Sequence, residues 1–154
     1  MHRVLFTGMS GTGKSTMLAA MKTADNLVLD LDYDGWIAPD ESGETLLHIP
    51  RLKQFFADHP AQDIFLAGTV CNQWQLYPHL TAVITLTAPL PVMQQRILSR
   101  RHNPFGQWPG EWEQIVQDKL LIEPLLIRRS DFVCDTDRDW AEAVQSVRDF
   151  LARG

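Results

Sequence analysis

Residues 8–15 read Gly-Met-Ser-Gly-Thr-Gly-Lys-Ser, following the apolar run Val4-Leu5-Phe6 and opening onto the helix-forming run Thr16-Met17-Leu18-Ala19-Ala20-Met21. Strand, glycine turn and helix in that order satisfy every fixed position of the G-x-x-x-x-G-K-[ST] pattern. Gly8, Gly11 and Gly13 allow the backbone to curl so that successive N–H groups point inward at a helix N-terminus, which makes an anion nest. Lys14 adds a mobile cation for β- and γ-phosphates, and the Ser15 hydroxyl is a ligand for Mg²⁺. A nucleoside triphosphate is therefore expected to lie along Gly8, Ser10, Gly11, Thr12, Gly13, Lys14, Ser15 and Thr16.

The rest of the chain alternates apolar runs with helical patterns. Strands are expected over Arg3 to Thr7, Asn26 to Asp30, Asp63 to Ala67, Ala82 to Leu86 and Asp131 to Cys134. Helices are expected over Lys14 to Lys22, Arg51 to Asp58, Pro91 to Arg101 and Glu111 to Glu123, with Pro124 kinking the last or restarting it as a short second helix. The clearest helix is the final one, where Trp140, Val144, Val147 and Leu151 make a stripe at helical spacing. Short unalternating apolar strands separated by helices predict an α/β fold: a parallel sheet covered on both faces, with ligands at the carboxyl ends of its strands. Asp32 to Pro50 and the turn-rich His102 to Gly110 read as loops, the second as a lid that excludes water.

With 154 residues and 45% hydrophobic content, one domain with its own core is expected over 1–154. A net charge of −5 argues against a general nucleic-acid or acidic-membrane surface, so phosphates have to be held by local devices. Cys71 and Cys134 stand far apart with no metal-ligand spacing, as two reduced thiols in a cytoplasmic protein would. Neither a membrane span nor a signal peptide is recognisable.

Around the expected cleft, the second strand ends in Asp30-Leu31-Asp32-Tyr33-Asp34-Gly35-Trp36. Carboxylates at i, i+2 and i+4 repel one another unless a cation or a proton sits among them. Asp30 is assigned to the Mg²⁺ shell and Asp32 to contacting or deprotonating an acceptor, although the two roles could be exchanged. Asp34 is either a further acceptor contact or a turn residue. Trp36 is expected to line the acceptor pocket. At the end of the third strand, Gly68 leaves room for a ligand, and Asn72 and Gln73 either hydrogen-bond an acceptor or cap a helix. Arg96 and Arg100, four residues apart before the lid, are the candidate clamp on a phosphoryl group in transfer. Arg128 and Arg129 read as surface.

Gly8 to Ser15, the Asp30-x-Asp32 pair, Gly68, Arg96 and Arg100 before a short lid, and Glu123-Pro124-Leu125-Leu126 leading to Asp135-Thr136 together resemble the shikimate-kinase and nucleoside-monophosphate-kinase branch of small phosphate-loop kinases. The resemblance covers nearly the whole chain. It implies a three-layer α/β/α phosphate-loop NTPase fold with strand order 2-3-1-4-5, an acceptor region near 31–60 and a lid near 101–112. It also implies MgATP as phosphoryl donor, a small hydroxyl- or phosphate-bearing acceptor, and adenine packed between Arg100 and the loop carrying Asp135 and Thr136. The substrate-specific marks of the branch are missing. After the third strand stands Gly68-Thr69-Val70 in place of a triple glycine, Arg51 or Lys53 is the only cation available in the acceptor helix, and no Asp-Gly-Phe-Pro-Arg run occurs. Gluconate and antibiotic kinases share the scaffold. The expected protein is thus a monomeric or homodimeric small-molecule kinase, against two rivals: an ATP-binding switch and a plain NTP hydrolase.

Overall fold

A computed structural model describes residues 1–101 and 103–153. Strand β1 (Arg3–Gly8) is buried along its whole length and forms the middle of the sheet. It pairs in parallel with β5 (Ile64–Ala67) on one side and β6 (Ala82–Thr87) on the other. β2 (Leu27–Asp30) flanks β5, and β7 (Phe132–Asp135) flanks β6. The order β2-β5-β1-β6-β7 is the expected 2-3-1-4-5 once the five parallel strands are counted alone.

Side chains along β1 alternate between two cores, so both faces of the strand are buried. Val4 and Phe6 join Met17, Leu18 and Met21 of α1 (Lys14–Met21) and Ala143 and Val147 of α6 (Trp140–Ala152). Leu5 faces the opposite layer, with Leu52 and Phe56 of α2 (Ile49–Asp58). A third cluster joins Met9 to Met93 and Ile97 of α3 (Leu90–Ser99), Ile115 of α4 (Glu111–Leu121) and Leu126 of α5 (Glu123–Arg129), seating the phosphate loop on its helical side. Pro124 restarts a helix in the first turn of α5, where its missing N–H is harmless. Asp139 caps α6 by accepting from the Ala141 amide at 2.8 Å.

One element departs from the expected loops. Within 32–50 the chain makes an antiparallel hairpin, β3 (Ile37–Pro39) with β4 (Thr45–Leu47). Its turn is held by Asp40, whose Oδ1 accepts from the Ser42 amide at 2.9 Å, the Ser42 hydroxyl at 2.6 Å and the Glu44 amide at 2.9 Å. Strands of three residues are too short to register as a pattern in sequence. After β5, residues Gln73–His79 form a 3₁₀ helix. Helix α2 also begins earlier than expected, at Ile49, because Pro50 fits its first turn and His48 Nδ1 accepts from the Arg51 amide at 3.1 Å.

Candidate functional site

The loop Gly8–Ser15 closes on itself through two side chains. Lys14 Nζ donates to the carbonyls of Gly8 at 2.7 Å and Met9 at 3.0 Å. The fully buried Thr12 hydroxyl donates to Met9 at 2.8 Å. The end of β5 contributes Thr69, whose Oγ1 accepts from the Gly8 amide at 3.1 Å and donates to the Gly8 carbonyl at 2.6 Å. Gly13 adopts a φ of 100°, and a Cβ there would collide with the Trp140 indole. The requirement for glycine is therefore both conformational and steric.

From the far side the loop is tied to β7. Thr136, fully buried, donates through Oγ1 to the Thr12 carbonyl at 2.7 Å. Arg96 reaches across from α3, donating to Thr136 Oγ1 at 2.8 Å, the Thr136 carbonyl at 2.7 Å and the Gly11 carbonyl at 3.3 Å, with its guanidinium 5.3 Å from the Trp140 ring centroid. Arg100 donates to the Ser10 hydroxyl at 3.1 Å, the Asn103 carbonyl at 2.7 Å and the Phe105 carbonyl at 2.5 Å, so its guanidinium joins the lid loop to the Gly8–Ser15 loop.

Electrostatics follow from these positions. Burial pushes the Lys14 ammonium down to about 8, with Arg100 acting in the same direction and Asp32 and Asp30 opposing. Asp32 is raised above the ordinary carboxylate range, by desolvation first and by Asp30 second, with Lys14 opposing. Ser15 Oγ donates to Asp30 Oδ2 at 3.2 Å, so the hydroxyl and carboxylate expected to share a magnesium ion are in contact. These are hard oxygen donors that fit Mg²⁺, which is characteristically held by one or two protein oxygens plus phosphates and waters. Among the described residues no group of three or more His, Cys, Asp or Glu could hold a metal by itself. The donor set therefore fits an ion brought in with a polyphosphate.

Two cavities flank Lys14. The smaller, about 270 Å³, runs along Ser10, Gly11, Gly13, Ser15 and Thr16 to Asp30, Tyr33, Arg96, Arg100 and Trp140. The larger, about 660 Å³, lies on the other side of Gly8 and is bounded by Thr69 to Tyr77, Phe105 and helices α4 and α5. Ser10, Lys14 and Asp32 form the wall common to both.

Several expected site residues lie elsewhere. Trp36 is only 5% exposed, packs edge-on against Phe55 and carries the Arg51 guanidinium 4.1 Å over its ring; it belongs to the core and lines neither cavity. Arg51, one of the two candidate cations of the acceptor helix, donates to the carbonyls of Asp34 at 3.0 Å and Gly35 at 2.8 Å and is thus occupied by the turn. Asp34 is a turn residue with a φ of 62°. A Cβ on Gly68 would stand 2.9 Å from Leu31 Cβ, so the space that glycine leaves is filled by the neighbouring chain rather than open to a ligand. Asn72 clamps the hairpin, accepting from the Leu47 amide at 2.8 Å and donating to its carbonyl at 3.2 Å. Gln73 lines the larger cavity, but its amide is engaged with Val70, Thr7 and Tyr77. Asp135 and Thr136 line neither cavity: Asp135 accepts from the Asp137 amide at 2.8 Å, and Thr136 braces the loop. Of the stretch 31–60, only Asp32 faces the larger cavity, which opens instead onto 69–77 and 105–129. His102, within the expected lid, lies outside the described residues.

Sequence reading missed Thr69, Trp74, Tyr77 and Phe105, and passed over Arg128 and Arg129, which are exposed but stand on the rim of the larger cavity. One signal was available. Leu120-Leu121-Ile122 and Leu125 are more apolar residues than one face of a short helix pair can bury.

Comparison with known proteins agrees with this architecture. Shikimate kinase from Acinetobacter baumannii in complex with shikimate superposes with a TM-score of 0.68 at 15% identity, covering 99% of this chain and 94% of that one. A gluconokinase from Sinorhizobium meliloti gives 0.62 at 17% identity, over 99% and 92%. The chain thus has the fold of the small phosphate-loop kinases of the shikimate-kinase-like branch. In sequence it is 30% identical over 134 residues to a nucleotide-binding protein of Desulforapulum autotrophicum. That alignment spans 79% of this chain and 42% of the relative, less than half its length. The chain matches no protein-family model.

Proposed function

We propose that the protein is an ATP-dependent phosphotransferase that moves the γ-phosphoryl group to a hydroxyl-bearing small molecule. The observation that carries this reading is the shared wall: Lys14 and Asp32 face both cavities, one of them polar and shaped by the phosphate loop, the other large enough for an acceptor. In this reading the triphosphate lies along the loop amides in the smaller cavity, and the acceptor hydroxyl enters from the larger one.

The acceptor oxygen forms a bond to the γ-phosphorus while the bond from that phosphorus to the β–γ bridging oxygen breaks, and ADP leaves. The hydroxyl proton passes to the Asp32 carboxylate, whose proton affinity is raised by desolvation and by the neighbouring Asp30. Lys14, held at two carbonyls while no ligand is bound, turns to the γ-phosphoryl oxygens and stabilises the charge spread over them in the transition state. Arg100 supplies the second cation and brings the lid loop with it. Arg96, engaged with Gly11 and Thr136, keeps the loop in shape. Ser15 and Asp30 would hold Mg²⁺, which neutralises phosphate charge when bound. Tyr33 and Trp140 are the aromatic surfaces available to a purine base.

The test is ATP consumption by purified protein with shikimate, gluconate, nucleosides, nucleotides and aminoalcohol antibiotics, against a no-acceptor control. The reading requires ADP formation that depends on an acceptor and disappears in Lys14→Ala. Equal ATP loss with and without every acceptor would replace the kinase by a hydrolase.

A further inference from the structure

Large apolar side chains are ordinarily covered, and isolated exposed ones carry no message; a group of them facing one concavity does. Trp74 is 52% exposed, Leu125 55%, Phe105 40% and Ile122 38%, and all four line the larger cavity. They come from three separate segments: the 3₁₀ helix after β5, the lid loop and the α4–α5 junction. No local sequence pattern accounts for their convergence. The polar groups are distributed unevenly around them. At the floor stand Lys14, Asp32 and Ser10, next to the phosphate loop. On α5 the face that begins with Ile122 and Leu125 ends in Arg128 and Arg129. Asp118, the other carboxylate of the wall, already accepts from Gln114 at 2.8 Å. Of the two cations expected in the acceptor helix, Arg51 is bound to carbonyls away from this cavity and Lys53 does not line it. Apolar side chains make up much of the lining between these polar ends, whereas a compact polyol is held by closely spaced donors and acceptors.

From this gradient we propose that the acceptor is an amphiphile: a hydroxyl at the Asp32 end, a ring-sized apolar body against Trp74, Phe105, Ile122 and Leu125, and an anionic group at Arg128 and Arg129. The proposal rests on the phosphotransferase reading for its chemistry and on the cavity for its specificity. Transfer to such an acceptor yields a phosphate monoester and ADP, with the hydroxyl proton taken up by Asp32 and released to solvent.

The probe is 6-(hydroxymethyl)-2-naphthoate, with 2,6-bis(hydroxymethyl)naphthalene as its uncharged counterpart and shikimate and gluconate as polyols. Binding is measured by calorimetry with the protein alone and with MgADP, and transfer by ADP formation with MgATP. The naphthoate is expected to bind more tightly than either polyol. Trp74→Ala is expected to weaken both naphthalenes about tenfold. The double variant Arg128→Gln/Arg129→Gln is expected to weaken the naphthoate about fivefold and leave the neutral diol unchanged. Leu125→Asn, at an exposed position, repeats the Trp74 test where loss of fold is not at issue, and circular dichroism verifies folding of each variant.

The proposal is overturned if neither naphthalene binds, if binding is indifferent to these variants, or if shikimate or gluconate is the preferred acceptor. Equally, a wild-type dimer that Leu125→Asn splits, with no naphthalene bound, assigns the surface to a second copy and overturns it. These results are separable from the kinase reading, which falls only if MgATP and MgADP fail to bind or ATP loss ignores every acceptor.

Discussion

The smaller cavity draws its wall from the loop residues Ser10, Gly11 and Gly13 to Thr16, from Asp30, Asp32 and Tyr33, and from Arg96, Arg100, Asn103 and Trp140, and most of its chemistry comes from one continuous turn of backbone. The larger cavity has the same Lys14 and Asp32 at its floor, but the rest of its lining arrives from residues 69–77 and 105–129 as side chains, most of them apolar. On the first side, in the proposed reading, the ligand would be gripped by groups every residue possesses, aligned by Gly11 and Gly13, with the loop braced by Arg96, Thr69 and Thr136. On the second side, recognition of the proposed acceptor would rest on which side chains the helices present. A phosphate site of the first kind tolerates change everywhere except at its few fixed residues, whereas an acceptor site of the second kind is free to diverge. The chain keeps the fold of a shikimate kinase at 15% identity, while the substrate marks of that branch are absent from its sequence.

The contrast is broken most sharply at Lys14. Lys14→Ala is expected to lower phosphoryl transfer by about 10³-fold or more while the protein stays folded, because the lost cation acts on charge that develops in the transition state. Turnover within tenfold of wild type would remove Lys14 from the mechanism. At Asp32 the two sides separate: Asp32→Asn should cut transfer about 10²- to 10⁴-fold, yet leave the MgATP dissociation constant within a few-fold. A parallel loss of nucleotide affinity would move Asp32 to the donor side and Asp30 to the base.

Arg96→Met probes the bracing. Loss of charge-assisted bonds to Thr136 and Gly11 should lower stability by about 2–3 kcal/mol in denaturant unfolding, with nucleotide affinity falling because the loop loosens. Unchanged stability with lost transfer would instead make Arg96 a direct clamp. The pH response sharpens the same comparison. The Lys14 value of about 8 lies below that of an ordinary lysine, so the unbound protein loses this proton as pH rises through about 8. MgATP affinity should therefore decline by up to about tenfold per pH unit above that point. The unfolded chain keeps the proton until about pH 10.5. The contribution of Lys14 to folding consequently moves the other way across this window, becoming more favourable as pH rises. Affinity flat from pH 7 to 9.5 would contradict the burial of this ammonium. The smallest effect is expected at Trp36. Trp36→Phe removes an indole Nε1 that has no partner and keeps the ring core, so stability should change by no more than about 1.5 kcal/mol and acceptor KM less than twofold. A large rise in KM would return Trp36 to the acceptor pocket.

How much was legible in advance differs residue by residue. Lys14, Ser15 and the glycines are fixed by a pattern whose physical meaning is local. Asp30 was legible because it ends a strand beside the loop, and the Ser15 contact agrees with that placement. Trp36 was misread because an aromatic residue in a loop looks the same in sequence whether it faces a ligand or Phe55. Gly68 was misread because a missing side chain does not say what fills the space. Arg128 and Arg129 were set aside because exposure at a helix end is ordinary, and only the third dimension brings them to the rim that Trp74 and Phe105 share.

By itself the sequence determined the phosphate cradle, the parallel sheet and its two layers of helices. Each of these follows from contacts between near neighbours or from hydrophobic period, and both are written consecutively along the chain. The tertiary structure alone decided the shape and chemistry of the larger cavity, the capture of Arg51 by a turn and the strut from Arg96 to Thr136. Those features join residues tens of positions apart, and their partners are chosen by how helices pack on the sheet rather than by any spacing a linear chain displays.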